Sequence, residues 1–113
     1  RVNLPLLTTY NGEEYGRVPA GKDLAFEFPD LIAHAARTRD LSAGTIIGSG
    51  TVSNENHDDV GSNCLAEKRM IETIRTGEAI TRFMEPGDTI RFEMLGEDGQ
   101  SIFGVIDQIV VSG

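Results

Sequence analysis

Residues Gly44 to Glu67 read GTIIGSGTVSNENHDDVGSNCLAE, and the rest of the chain is placed relative to them. Gly44-Thr45-Ile46-Ile47 is a short apolar run with β-branched residues between glycines, the composition of a buried strand. The stretch then turns polar. Gly48 and Gly50 bracket Ser49 and leave the Thr51 hydroxyl at the strand's end, where glycines permit a positive φ or a close approach of the backbone to a ligand. A strand that ends in a glycine turn followed by a solvated acidic loop is the plain structural reading; a ligand loop is the functional one. Spacing alone does not choose between them.

N-terminal to this stretch, Val2 to Tyr10 is aliphatic and β-branched, with Pro5 confining it to a position that needs no N–H donor. Asn11-Gly12 predicts a type I′ hairpin, because both residues tolerate the positive φ it demands, with a short return strand near Glu13 to Gly16. Gly16 to Asp23 is expected to be a loop. Pro29 to about Arg37 is expected to be a helix, with Asp30 at its positive end and Arg37 and Arg39 at its negative end. Leu31, Ile32, Ala35 and Ala36 form a stripe that should pack on a sheet. His34 lies on the flank of that stripe and reads as a helix histidine rather than a catalytic one.

C-terminal to the stretch, Cys64 to Thr76 fits a helix closed by Gly77 with Leu65, Ile71 and Ile74 inward, although the alternation around Met70 to Ile74 also fits a strand. Glu85-Pro86-Gly87-Asp88 is a sharp reversal. Ile90, Phe92 and Met94 then alternate with Thr89, Arg91 and Glu93, the period-two mark of a strand with one wet face. After a turn at Gly96 to Gly99, Ile102 to Val111 is apolar on both faces, as in a strand central to a two-layer structure. These elements sum to an α+β, β-rich chain forming one domain, or part of one, over residues 1–113.

Ten Lys and Arg against 18 Asp and Glu give a net charge of −8. That acidity argues against nucleic acid or an anionic membrane as partner. A single cysteine, Cys64, makes no internal disulfide and suits a reducing cytoplasm. No apolar run is long enough to span a membrane, and the opening Arg1-Val2-Asn3-Leu4 reads as a chain entered in mid-strand. Glu55, His57, Asp58 and Asp59 match no EF-hand spacing, and no set of residues reads as a metal site. Nucleophile-elbow and dinucleotide glycine patterns are absent around Gly48 and Gly50. What remains is Thr51 as a hydroxyl donor and Glu67 as a carboxylate downstream.

IIGSGTVSN, GSNCLAEKR, FPDLIAHAARTRDLSAG, RFMEPGDTIRFEM and DGQSIFGVIDQIV together resemble the C-terminal part of the fumarylacetoacetate hydrolase family in its bacterial form. The resemblance starts at LPLLTTYNG and covers essentially the whole chain. It implies a mixed β-roll or β-sandwich fold, here incomplete, that usually forms a homodimer in the cytoplasm. It also implies a metal-dependent hydrolase that cleaves a carbon–carbon bond in a β-diketo acid, above all fumarylacetoacetate in tyrosine and phenylalanine catabolism. An acylpyruvate hydrolase or a keto-acid decarboxylase or isomerase of the same family is the alternative. From a different class, a non-catalytic acidic module binding a partner through Asn54 to Asn63 is the rival. By the same resemblance, Thr51 with Gly50 is a substrate contact, and Glu67 orients the catalytic histidine. A divalent cation (Mg²⁺, Ca²⁺ or Mn²⁺) polarises the substrate carbonyl. Its ligands and the catalytic histidine match nothing in these residues, so the chain is expected to supply one wall of a site and to be inactive by itself.

Overall fold

The computed structural model describes residues 1–113. Its centre is an antiparallel sheet of strands β1 (Pro5–Tyr10), β2 (Glu13–Pro19), β3 (Thr89–Leu95) and β4 (Ser101–Ile109), in the order β2-β1-β3-β4. Asn11 and Gly12 take φ of 50° and 82°, so the first hairpin closes through the type I′ turn that the dipeptide predicts. The return strand is longer than expected and runs on to Pro19 because Leu6 and Pro5 continue to pair with Val18 and Pro19. On one face the pairs Leu6↔Met94, Thr8↔Phe92 and Tyr10↔Ile90 line up across β1 and β3. On the other, Arg91 reaches Glu93 at 2.9 Å and Asp107 of β4 at 3.1 Å.

A buried carboxylate ties the two ends of the sequence together. Asp88 is 6% exposed and accepts five hydrogen bonds: from Tyr10 Oη (2.7 Å), Asn11 Nδ2 (2.9 Å), two Arg82 nitrogens (2.6 and 2.8 Å) and the Glu85 amide (2.8 Å). Asn11 Oδ1 in turn accepts the Thr89 amide at 2.8 Å. The Glu85–Asp88 reversal, where Gly87 takes φ 98°, is thus locked to the tip of the first hairpin. Donation by the Arg82 guanidinium, then by Tyr10 and the Glu85 amide, holds the Asp88 carboxyl well below the usual carboxylate range.

Three helices flank the sheet: α1 (Phe28–Ala36), the single turn α2 (His57–Val60) and α3 (Leu65–Thr76). At α1 the Glu27 amide donates to Asp30 Oδ2 at 3.0 Å, satisfying one N-terminal donor. Helix α3 settles the helix–strand ambiguity of Cys64 to Thr76, and Gly77 closes it with φ 90°. Arg75 pairs with Asp58 through two contacts of 2.7 Å, fastening α2 to α3.

Four expectations are corrected. Gly44 to Ile47 is not a strand, and Ile46 is 93% exposed; β-branched composition favours an extended backbone, but no sheet edge pairs with it here. The α1 stripe does not bury against the sheet, for no α1 residue is buried and Ile32 is exposed. Ile74 of α3 likewise points outward, at 77% exposure. Finally, β4 is an edge strand, with Phe103, Ile106 and Ile109 exposed. These residues share one cause: each has the apolarity of a covered position, and nothing in these 113 residues covers it. Only eight residues are buried, and the accessible surface is 8099 Å², against about 6,100 Å² for a compact monomer of this mass.

Because the folded-state pKa of Asp88 is depressed, its stabilising contribution is fully present above the ordinary aspartate value of about 3.9 and is lost as pH falls through and below it. Asp88→Asn is therefore expected to lower the denaturation midpoint at pH 7 and to flatten the acid loss of stability below about pH 4. Urea titrations of both proteins across that range check it; an unchanged acid slope contradicts the assignment.

Candidate active-site cleft

Gly50 and Thr51 lie on the wall of a cleft of about 640 Å³. Lys22 and Asp23 come to it from the loop after β2, Phe26 from the approach to α1, and Met94 and Phe103 from the sheet. The lining is apolar with a few polar groups, the composition of a small-molecule site. The charged lining is balanced, with Lys22 and Arg1 beside Asp23 and Glu27, and Arg1 is paired with Glu27, so Lys22 is the cation left without a carboxylate partner.

Neither reason anticipated for the glycines applies within the chain. Gly48 and Gly50 have no positive φ, and a Cβ built on Gly50 meets nothing within 4 Å. The room beside Gly50 is cleft space. Close approach occurs instead where Gly16 and Gly61 form an antiparallel bridge. A Cβ on Gly16 would stand 2.4 Å from the Ser62 carbonyl oxygen, and one on Gly61 2.4 Å from that of Tyr15. The end of the acidic segment is thereby pressed onto β2, while its carboxylates Glu55, Asp58 and Asp59 stay exposed, as its composition suggests.

Side chains, rather than a ladder, hold the Thr51 segment. Asn54, 5% exposed, directs Nδ2 at the carbonyls of Pro19 (3.2 Å), Lys22 (2.9 Å) and Ser53 (2.9 Å). Asn63 accepts from Thr8 Oγ1 at 2.5 Å and donates to the Val52 carbonyl at 3.3 Å. Asp23 accepts the Glu55 amide at 3.0 Å. Local sequence pattern offered no sign of Asn54, Asn63 or Asp23 beyond the density of asparagine between positions 54 and 63.

Glu67 stands in the first turn of α3, half-buried, where the helix dipole favours its charge. It does not line the cleft that holds Gly50 and Thr51. It acts weakly on Tyr15, whose phenol is raised above its ordinary value by burial first and then by Glu72, Cys64, Tyr10 and, least, Glu67. His34 is exposed on α1. His57 meets Arg75 Nη2 at 3.1 Å.

The family profile described as fumarylacetoacetate (FAA) hydrolase C-terminal matches residues 1–111. The chain belongs to the fumarylacetoacetate hydrolase family. The four-stranded antiparallel sheet with its helices is the α+β, β-rich architecture expected of it. A comparison with curated proteins gave no match. Membership carries a family-level hydrolase or isomerase function, and members usually bind a divalent metal. In this chain no three His, Cys, Asp or Glu side chains converge to hold one, and Asp58 is already committed to Arg75. The donor set present does not fit a divalent cation. No helix is long and apolar enough to cross a membrane.

Gly50→Ala is expected to leave stability within about 0.5 kcal/mol, because the added methyl enters open space, while weakening ligand binding by intruding on the cleft. Denaturation and ligand titration of the variant check the two halves; a large loss of stability contradicts the cleft assignment.

Proposed function

We propose that the protein is a hydrolase that cleaves a carbon–carbon bond in a β-diketo acid, with fumarylacetoacetate as substrate and fumarate and acetoacetate as products, a step of tyrosine and phenylalanine breakdown. The observation that carries this reading is the placement of Gly50 and Thr51, from the GSGTVSN block that the family resemblance singles out, on the wall of the 640 Å³ cleft. An anionic diketo acid fits its character: apolar surface from Phe26 and Phe103 for the carbon chain, the Lys22 ammonium for a carboxylate, and a hydroxyl to bond an oxygen.

In this reading the Thr51 hydroxyl donates to a substrate carboxylate or to an oxygen near the scissile bond. The Glu67 carboxylate accepts the N–H of a histidine supplied from outside these residues, and stabilises the imidazolium that forms as water is activated. A divalent cation, Mg²⁺, Ca²⁺ or Mn²⁺, with ligands likewise outside these residues, supplies Lewis acidity when bound. The 113 residues by themselves are then inactive. The single thiol of Cys64 accords with a reducing cytoplasm.

A second copy of the chain is the partner we propose beside the substrate. The uncovered apolar residues of β4 support this, and about 800 Å² per protomer is the area that a stable interface of standard size needs. Light scattering on the intact protein is expected to give the dimer mass; the monomer mass at micromolar concentration contradicts it.

The ultraviolet loss of fumarylacetoacetate, followed with Mg²⁺ and after chelation, tests the activity. The intact protein is expected to turn it over only with metal, and Thr51→Val to lower kcat/KM about ten- to a hundred-fold with the fold unchanged. Turnover unaffected by Thr51→Val would sink the role of Thr51; no turnover by the intact protein would sink the substrate.

A further inference from the structure

The segment that carries Thr51 is unusual in how little of its own backbone secures it. From Ile46 to Glu55 no residue lies in a helix or strand, and none makes a backbone–backbone hydrogen bond. Yet the chain just after Thr51 is tied to the most rigid part of the molecule. Thr8 is 1% exposed and sits in β1, which is paired on both sides. Its hydroxyl donates to Asn63 Oδ1, and Asn63 Nδ2 donates to the carbonyl of Val52, the residue after Thr51. Three residues after Thr51, Asn54 Nδ2 shares its two protons among the carbonyls of Pro19, Lys22 and Ser53. One amide group thus links the segment to the sheet, and the other links it to the loop that brings Lys22 to the cleft.

We propose that Asn54 and Asn63 are positioning residues that fix the Gly50–Thr51 segment on the cleft wall and so aim the Thr51 hydroxyl at bound substrate. The inference rests on the diketo-acid reading for its catalytic consequence and on the hydrogen bonds for its geometry. The chemistry requires an amide at Asn63, while Asn54 uses its donor side alone, its buried Oδ1 having no partner. Each must offer N–H protons to carbonyl oxygens, and Asn63 must at the same time accept from the Thr8 hydroxyl, which neither a carboxylate nor an ammonium does. In an ordinary loop, ladder or turn bonds would set the geometry; here side chains do it, Asn63 and Asn54 nearest Thr51 and Asp23 one residue further on, at the Glu55 amide.

Asn63→Asp is nearly isosteric, keeps the acceptor for Thr8 and removes the donor to Val52. A double-mutant cycle with Thr51→Val in the intact protein tests the coupling. Asn63→Asp alone is expected to lower kcat/KM about tenfold, and in the Thr51→Val background to cost less than about twofold, because the hydroxyl it aims is already gone. Losses that multiply fully would overturn the proposal. A second readout does not depend on turnover. The ¹⁵N order parameter of Thr51 is expected to fall from about 0.85 to below about 0.6 in Asn63→Asp, with β1 and β3 amides unchanged. An unchanged order parameter at Thr51 overturns the proposal even if fumarylacetoacetate proves not to be the substrate, whereas inactivity of the unmutated protein with a lowered order parameter indicts the substrate alone. If the aspartate variant does not fold, Asn63→Ala, which brings no charge, gives the same two readouts.

Discussion

Asp88 joins what the chain order keeps apart. Its carboxylate gathers Tyr10 and Asn11 from the first hairpin, Arg82 from the segment after α3 and the amide of Glu85 from its own turn. Five donors on a buried carboxylate satisfy its lone pairs and offset the cost of removing a charge from water. The pairing of β1 with β3 begins beside it, at Tyr10↔Ile90. That pairing puts Thr8 in the centre of the sheet and Met94 at the floor of the cleft, so the site's scaffold traces back to this one group.

Upon that scaffold the functional segment is hung rather than woven. The sheet provides fixed attachment points in Thr8 and in the carbonyls at the end of β2, and asparagine amides reach them from a segment without regular structure. Such an arrangement leaves the backbone of Gly50 and Thr51 open to the cleft, since none of its polar groups is consumed by a neighbouring strand. Functional loops on rigid scaffolds follow this division of labour.

How much of this was legible in the sequence depended on the range of the interaction. Asn11-Gly12, Gly87 and Gly77 announce turns and caps through φ requirements that are local, and the alternation of Ile90, Phe92 and Met94 is local as well; all of these were readable. Gly44 to Ile47, the α1 stripe and Ile102 to Val111 were read as buried because they are apolar. Apolarity reports that a surface is to be covered and is silent about what covers it, so those placements did not hold. For the site, Gly50 and Thr51 were found through family resemblance and share a cleft, while Glu67 lies apart from it. Asn54 and Asn63 were missed because the partners that anchor them to β1, to the end of β2 and to the loop after it lie 32 to 55 residues away, beyond any periodic pattern.

On the proposed reading, the Gly50–Thr51 wall receives an anionic diketo acid. The most direct measurement is a ¹H–¹⁵N titration of the protein with a non-cleavable β-diketo acid analogue. The account predicts saturable shifts at Gly50, Thr51 and Lys22, with the Asp58–Arg75 pair between α2 and α3 left unmoved. Shifts confined to the Asn56–Asp59 surface, or none at Gly50 and Thr51 at saturation, would contradict it and move the binding face to the acidic segment.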